Sequence, residues 1–494
     1  MRFILASLLF SLTAFTAEPE FPLTEDSKPQ PGVPKGTLLK ENYTAKEESL
    51  FPGTQREYQI YLPAGFDKTK PAAFMVFQDG VIYQAPVVFD NLIAKKAIPP
   101  LVGIFIKPGV VPAANDKALP RFNRSYEYDS VSSTYSQFLL DEFLPAIQKR
   151  HGIQLSTDPN HAAISGNSSG GICAFMVAWH RPDRFRRVFT GVGTYVGIHG
   201  ADQLPVLVRK FEPKPLCVFL QSGTGDNNLY CGDWWMANQM MERSLTWAGY
   251  DVNHAWGEGG HNAKHASQIF PEVLRWLWRD WQTNNEVKAN AKGESKWKGY
   301  EVVGEGEWQG VPALGGALWL GKNSSGEVIP SGERNTLTVR HDGLHVDKVE
   351  GKAMKNLMVG AAAWSPDQTL LYVATVGKRI FSLNVDSKGH ATNVQAFMEI
   401  DCGDDWMINA SGLCVDTNGW LYVATSLGIQ VCDQAGRVNF IIPTPKQPLD
   451  VCFGGKDLSE LFIACGDSIY KRPTKAHGIV SGQMAPITPP KPKL

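Results

Sequence analysis

Along the first half of the chain, apolar residues gather into short runs with β character at 58–62, 73–77, 101–106, 161–165, 188–191, 216–221 and 252–256. Runs this short and this apolar predict strands covered on both faces. Between several of them the apolar spacing turns helical. Residues 133–150 bring Phe138, Leu139, Phe143 and Ile147 near one face, with Lys149 and Arg150 in the last turn and Gly152 just beyond. Cations and a glycine suit a helix C-terminus. A second helix is predicted from Asp233, as N-cap, to Gly249. A third spans 263–281, with Ile269, Val273, Trp276 and Leu277 at helical spacing. Strands alternating with helices predict βαβ units and a mostly parallel sheet.

After Trp281 the pattern changes. Residues 282–299 are polar and read as a linker, and from 300 to 480 short strands alternate with Gly, Asp and Asn. Two stretches look alike. Trp364-Ser365-Pro366-Asp367 precedes the run 370–374, and Val415-Asp416-Thr417-Asn418-Gly419 precedes 421–424. Each reads as strand, Asp-centred turn, strand, at a repeat of about 50 residues, which predicts propeller-like blades. The expected organisation is an extended lead-in over 18–40, an α/β region over 41–281, the linker, the all-β region, and a disordered Pro-rich tail over 481–494. A chain of 494 residues is long enough for more than one core.

Composition narrows the function classes. With 43% hydrophobic and 20% charged residues and a net charge of −1, no broad field favours nucleic acid or an anionic membrane. At the N-terminus, Arg2 precedes an apolar stretch from Ile4 to Phe15, and Ala14, Thr16 and Ala17 are small. This predicts a signal peptide over 1–17, hence a secreted or periplasmic protein with no membrane contact after cleavage. Eight cysteines are too few for a disulfide scaffold in a chain this long, and no CxxC or Cys/His cluster suggests zinc. They are expected as buried free thiols.

The chemistry centres on Gly166-Asn167-Ser168-Ser169-Gly170, a G-x-S-x-G pattern between the run 161–165 and the helix-compatible stretch 171–180. That order is a nucleophile elbow, which exposes the Ser168 hydroxyl and aims a helix N-terminus at developing oxyanion charge. Ser165 and Ser169 compete, but only Ser168 has glycine at both −2 and +2. A nucleophilic serine needs a base steadied by an acid. Asp226 follows the run 216–221, and His261 follows 252–256 after two glycines. Asp233 and Glu258 are alternative acids, and His265 is an alternative base, otherwise helix surface or a support behind the site. His254, within a strand, is expected to be buried. One oxyanion donor is expected from Ser169, the other from Gly80 or Val81 after the run 73–77. Trp234 and Trp235, and also Arg124, are candidate substrate contacts.

Residues 40–281 resemble the putative-esterase family that includes enterochelin esterase, S-formylglutathione hydrolase and the feruloyl and acetylxylan esterases of carbohydrate esterase family 1. The resemblance rests on Phe77-Gln78-Asp79-Gly80, Arg124-Ser125-Tyr126-Glu127-Tyr128, the Ser168 elbow, Gly223-Thr224-Gly225-Asp226 and Gly259-Gly260-His261. It implies an α/β-hydrolase fold and esterase chemistry on Ser168, Asp226 and His261. Residues 300–480 resemble part of the gluconolactonase, or senescence-marker-protein, β-propeller family, most clearly at 411–428, 436–438 and 453–457. That family binds a divalent metal, but Val359 and Ser411 stand where its Asn and Asp ligands are expected.

The expected protein is therefore a serine esterase that needs no metal and no cofactor. Its expected substrate is a small-molecule or polysaccharide ester, with acetyl and feruloyl esters of a carbohydrate as the candidate type. Two alternatives stand beside it: a metal-dependent lactonase in the C-terminal region, and a ligand-binding protein on a disabled hydrolase scaffold.

Overall fold

The computed structural model describes residues 20–283, 286–291, 293, 295–323, 327–331, 359–375, 377–385, 391–402, 410–480 and 486–492. The signal-peptide expectation over 1–17 lies outside the described residues, as does the side chain of Val359.

The first half is built on a ten-stranded mixed sheet. Six neighbouring strands run parallel: Leu101–Ile106, Ala73–Gln78, Ala162–Asn167, Arg187–Gly191, Cys217–Gly225 and Asp251–Gly260. Beyond Leu101–Ile106 the sheet turns antiparallel through Gln55–Leu62, which also pairs with Thr37–Thr44. The lead-in expected over 18–40 thus runs into a strand whose alternation is too polar to stand out as a buried run.

Strand alternation divides the interior in two. Phe74 and Val76 join Val102, Ile104 and the elbow helix Ser169–His180 in one core, while Met75 and Phe77 join Phe105 and the helices Ala85–Ala94 and Lys264–Leu277 in the other. A parallel strand covered on both faces has no polar side to show, so its sequence is continuously apolar.

Two predicted helices differ in detail. The 133–150 segment forms Thr134–Gln137, a π-turn over Phe138–Phe143, and Leu144–His151. Pro145 lacks the N–H that would bond one turn back, and the wider turn forms immediately before it. The third helix ends at Leu277 instead of 281 and carries Pro271 inside it. The predicted linker is not free chain throughout. Val287 and Trp297 are both buried, and the Trp297 indole donates to the Lys210 carbonyl at 2.6 Å.

The second half is all β among the described residues, with three four-stranded antiparallel sheets and a two-stranded one. The twin Leu-Tyr-Val-Ala-Thr runs are the second strands of two of these sheets, Leu371–Thr375 and Leu421–Thr425, and both are buried along their length. The edge strands Val359–Trp364, Gly412–Val415 and Asp450–Gly454 adjoin one another from sheet to sheet, a propeller-like arrangement. The last sheet takes its outer strand, Gln309–Gly310, from the start of the region, so the two ends of the segment close on each other. Part of the tail is also ordered against this half, with the Ile487 N–H donating to the Pro366 carbonyl. Cys173, Cys217, Cys414 and Cys432 are buried free thiols.

Candidate active site

Four of the six parallel strands deliver part of the site, each from its C-terminal end, where open α/β sheets place their ligands. Ala73–Gln78 leads to Asp79-Gly80-Val81, Ala162–Asn167 to Ser168, Cys217–Gly225 to Asp226, and Asp251–Gly260 to His261.

Ser168 sits at the tip of the strand-to-helix turn with φ 58° and ψ −123°. A non-glycine residue there is strained, and the fold holds it because its neighbours leave no alternative. The turn is so tight that a Cβ on Gly166 would lie 2.2 Å from the Gly170 carbonyl oxygen. A Cβ on Gly170 would lie 2.9 Å from the Gln78 Cβ, so the second glycine admits the 78–81 loop. The Ser168 N–H donates to the Gly191 carbonyl at 2.9 Å, and Tyr83 donates to the Gly166 carbonyl at 3.1 Å.

From this turn, Ser168 Oγ lies 2.7 Å from His261 Nε2. The other imidazole nitrogen, Nδ1, lies 2.6 Å from Asp226 Oδ1. The Asp226 side chain has no solvent exposure, and the imidazole keeps 19%. Asp226 is steadied by the Ser222 hydroxyl on Oδ2 at 2.6 Å and by the Asn227 N–H on Oδ1 at 2.8 Å. A buried carboxylate with donors on both oxygens and an imidazole N–H in front of it fixes the tautomer that leaves Nε2 free to accept a proton.

The structure sorts the remaining candidates. Asp233 caps the helix Trp234–Ala248 through the Met236 N–H, and Glu258 is exposed, so neither competes with Asp226. His265 is buried beside Gly257 and Gln221, with Phe21 stacked on it at 4.7 Å. It is a support behind the site and not helix surface. His254 is exposed, contrary to expectation, because its strand is the outermost of the sheet and has one open side.

For the oxyanion, Ser169 opens the elbow helix, so its N–H has no acceptor one turn back. Gly80 is corrected: its N–H is spent on the Ile106 carbonyl at 3.1 Å, which leaves the Val81 N–H as the candidate from the two residues expected in that loop. Trp234 is buried, meets the His261 ring edge-on at 5.5 Å and donates to Thr194 Oγ1 at 3.2 Å, so it positions and does not line a subsite. Trp235 is half-buried and packs edge-on against Trp256 at 5.4 Å. Arg124 has partners within the protein. Its guanidinium is committed to Asp79, through Nε at 2.8 Å and Nη2 at 2.9 Å, and to Ser169 Oγ, through Nη1 at 3.0 Å.

Sequence reasoning missed Thr194, whose hydroxyl lies 3.3 Å from Ser168 Oγ, and Ser222 behind Asp226. Neither sits in a pattern that marks chemistry; a hydroxyl beside glycines reads as turn bonding. In the second half, the Ser411 hydroxyl lies 3.2 Å from the Ala424 and Pro448 carbonyls, facing backbone acceptors.

Comparison with known proteins matches both halves. Residues 49–293 match the family model described as putative esterase, and 310–466 match the SMP-30/gluconolactonase/LRE-like region. An iron(III) enterobactin esterase of Dickeya dadantii is 30% identical over 152 residues, 28% of this chain and 33% of that protein. Regucalcin of Oryctolagus cuniculus is 28% identical over 128 residues, 24% of this chain and 42% of that protein. The chain therefore spans less than half the length of these curated relatives. Among solved structures, a ferulic acid esterase covers 50% of this chain at 17% identity, over 99% of its own length, with a TM-score of 0.39. The ferric enterobactin esterase of Salmonella typhimurium covers 52% of this chain at 18% identity, over 62% of its own length, with a TM-score of 0.41. This chain thus joins a region that matches the putative-esterase model to one that matches the SMP-30/gluconolactonase/LRE-like model.

Proposed function

We propose that this protein is a serine-dependent carboxylic ester hydrolase. The observation that carries the reading is the continuous line from Ser168 Oγ through His261 to the buried Asp226, with contacts of 2.7 and 2.6 Å. In the proposed reaction His261 Nε2 takes the Ser168 proton as Oγ attacks the ester carbonyl carbon. The N–H groups of Ser169 and Val81 hold the resulting oxyanion, and Asp226 stabilises the imidazolium. His261 then protonates the departing alkoxide, leaving an acyl-enzyme. Water, deprotonated by the same imidazole, attacks the acyl carbon, and the imidazolium returns that proton to Ser168 Oγ as the carboxylic acid leaves.

A carbohydrate-linked ester is the favoured substrate class. Its support is the aromatic surface of Trp235, Trp256 and His254, the last two stacked at 4.6 Å, on the strand that leads to His261. Export is favoured by the apolar stretch behind Arg2.

Hydrolysis of p-nitrophenyl acetate by the purified chain, beside Ser168→Ala, tests the reaction. The expected loss in kcat is about 10⁴-fold or more. Turnover that survives the substitution overturns the reading. Comparison of acetyl and feruloyl sugar esters with their simple alkyl counterparts tests the substrate class.

A further inference from the structure

We propose that Arg124 is a positioning residue which locks the two halves of the oxyanion hole to each other. The inference rests on the esterase reading above and adds to it the device that sets the donor geometry.

The loop after Ala73–Gln78 has an unusual backbone. Asp79 has φ 66° and Gly80 has φ 87°, two left-handed residues in succession just before Val81. Glycine takes this conformation freely, but an aspartate in it is strained and needs outside restraint. Restraint comes from two sides. The Gly80 N–H is tied to the Ile106 carbonyl, and the Asp79 carboxylate is gripped on both oxygens by the Arg124 fork. The third nitrogen of the same guanidinium reaches Ser169 Oγ at 3.0 Å, and Nη2 also lies 3.5 Å from the Asn167 carbonyl. One rigid plane therefore touches the residues on either side of Ser168 and the loop that carries Val81.

The clamp is itself anchored. Arg124 begins the short helix Arg124–Tyr128, and Glu127 of that helix forms a fully buried pair with Arg56 at 2.9 Å. Glu127 also accepts from the Gly109 N–H at 3.1 Å. Arg124 thus projects from a fixed base onto a loop that would otherwise be free to relax. Oxyanion donors work only when aimed in advance at the position where charge develops, so relaxation of this loop removes transition-state stabilisation and leaves ground-state binding alone. Lysine cannot substitute, because a single ammonium cannot hold both carboxylate oxygens and Ser169 in one plane.

The test uses p-nitrophenyl acetate, a small neutral substrate with no charge for an arginine to bind. Arg124→Ala, Arg124→Lys, Asp79→Ala and the Arg124→Ala/Asp79→Ala pair are compared for kcat, KM and Tm. Each single variant is expected to lose about 10- to 100-fold in kcat with KM within about threefold. The double variant should be no slower than the slower single, because both break one clamp. Ethylguanidinium should restore part of the Arg124→Ala rate and none of Ser168→Ala. If Arg124→Ala fails to fold, Arg124→Lys carries the same expectation at an unchanged Tm. A rise in KM at unchanged kcat, or losses that multiply in the double variant, would overturn the clamp. A wild-type chain that neither turns over nor reacts at Ser168 would instead sink the esterase reading, and the clamp with it.

Discussion

At the scale of single residues, the site is a set of hydrogen-bond obligations met around one strained serine. Asp226 is buried and accepts from Ser222, Asn227 and His261, so its replacement by asparagine keeps the shape but presents an amide where a carboxylate is required. Asp226→Asn is expected to lower kcat by about 10³- to 10⁴-fold with little change in KM, measured on a simple ester. Ser222→Ala removes only one of the donors and is expected to cost about tenfold or less on the same assay. Gly166 has a steric duty: alanine there would drive a Cβ into the Gly170 carbonyl, so Gly166→Ala should yield unstable or insoluble protein, as read by Tm and soluble expression.

At the scale of elements, most of what mattered could be read from the order strand, glycine-flanked serine, helix. The runs 73–77, 161–165 and 216–221 announced themselves because the inner parallel strands of this sheet are buried on both faces. Asp226 and His261 were legible as polar residues in glycine-rich turns at the ends of such runs. Other features were not legible, for physical reasons. Which N–H in 79–81 is free depends on a carbonyl from another strand, Ile106, and the role of Arg124 depends on a loop 45 residues away. The exposure of His254 follows from its strand lying at the sheet edge, which composition does not encode. The elbow helix also carries a pH-sensitive group at its end. His180, which donates to the Val131 carbonyl, is pushed down to about 4 by burial first and by the Lys214 cation second. Below its ordinary range the unfolded chain binds a proton there and the folded chain does not. Stability is therefore expected to fall by about 2–3 kcal/mol as pH drops from 6.5 to 4. His180→Asn should flatten that slope in urea denaturation at stepped pH values.

At the scale of the whole molecule, the β half is packed against the segment that follows the elbow helix and the next strand. Arg472 grips both oxygens of Glu212 at 2.7 and 2.8 Å, with little of either side chain exposed, and Lys210 pairs with Asp401 at 2.6 Å. Phe211 and Ile441 form a parallel bridge beside them. Removing one partner of a pair this buried strands the other, at a cost of about 3 kcal/mol. Arg472→Ala is accordingly expected to separate thermal unfolding into two transitions further apart than in the parent, with the lower one assigned to the β half by limited proteolysis. Persistence of the parental unfolding profile in that variant would show the contact to be energetically idle.

The account turns on whether Ser168 is an activated nucleophile, and a fluorophosphonate probe asks this without assuming a substrate. The purified chain is treated with the probe, and the modified residue is located by peptide mass spectrometry. The predicted result is a single adduct on Ser168, lost in His261→Ala although that variant remains folded. No adduct on folded protein, or an adduct that persists at Ser168 without His261, would contradict the account.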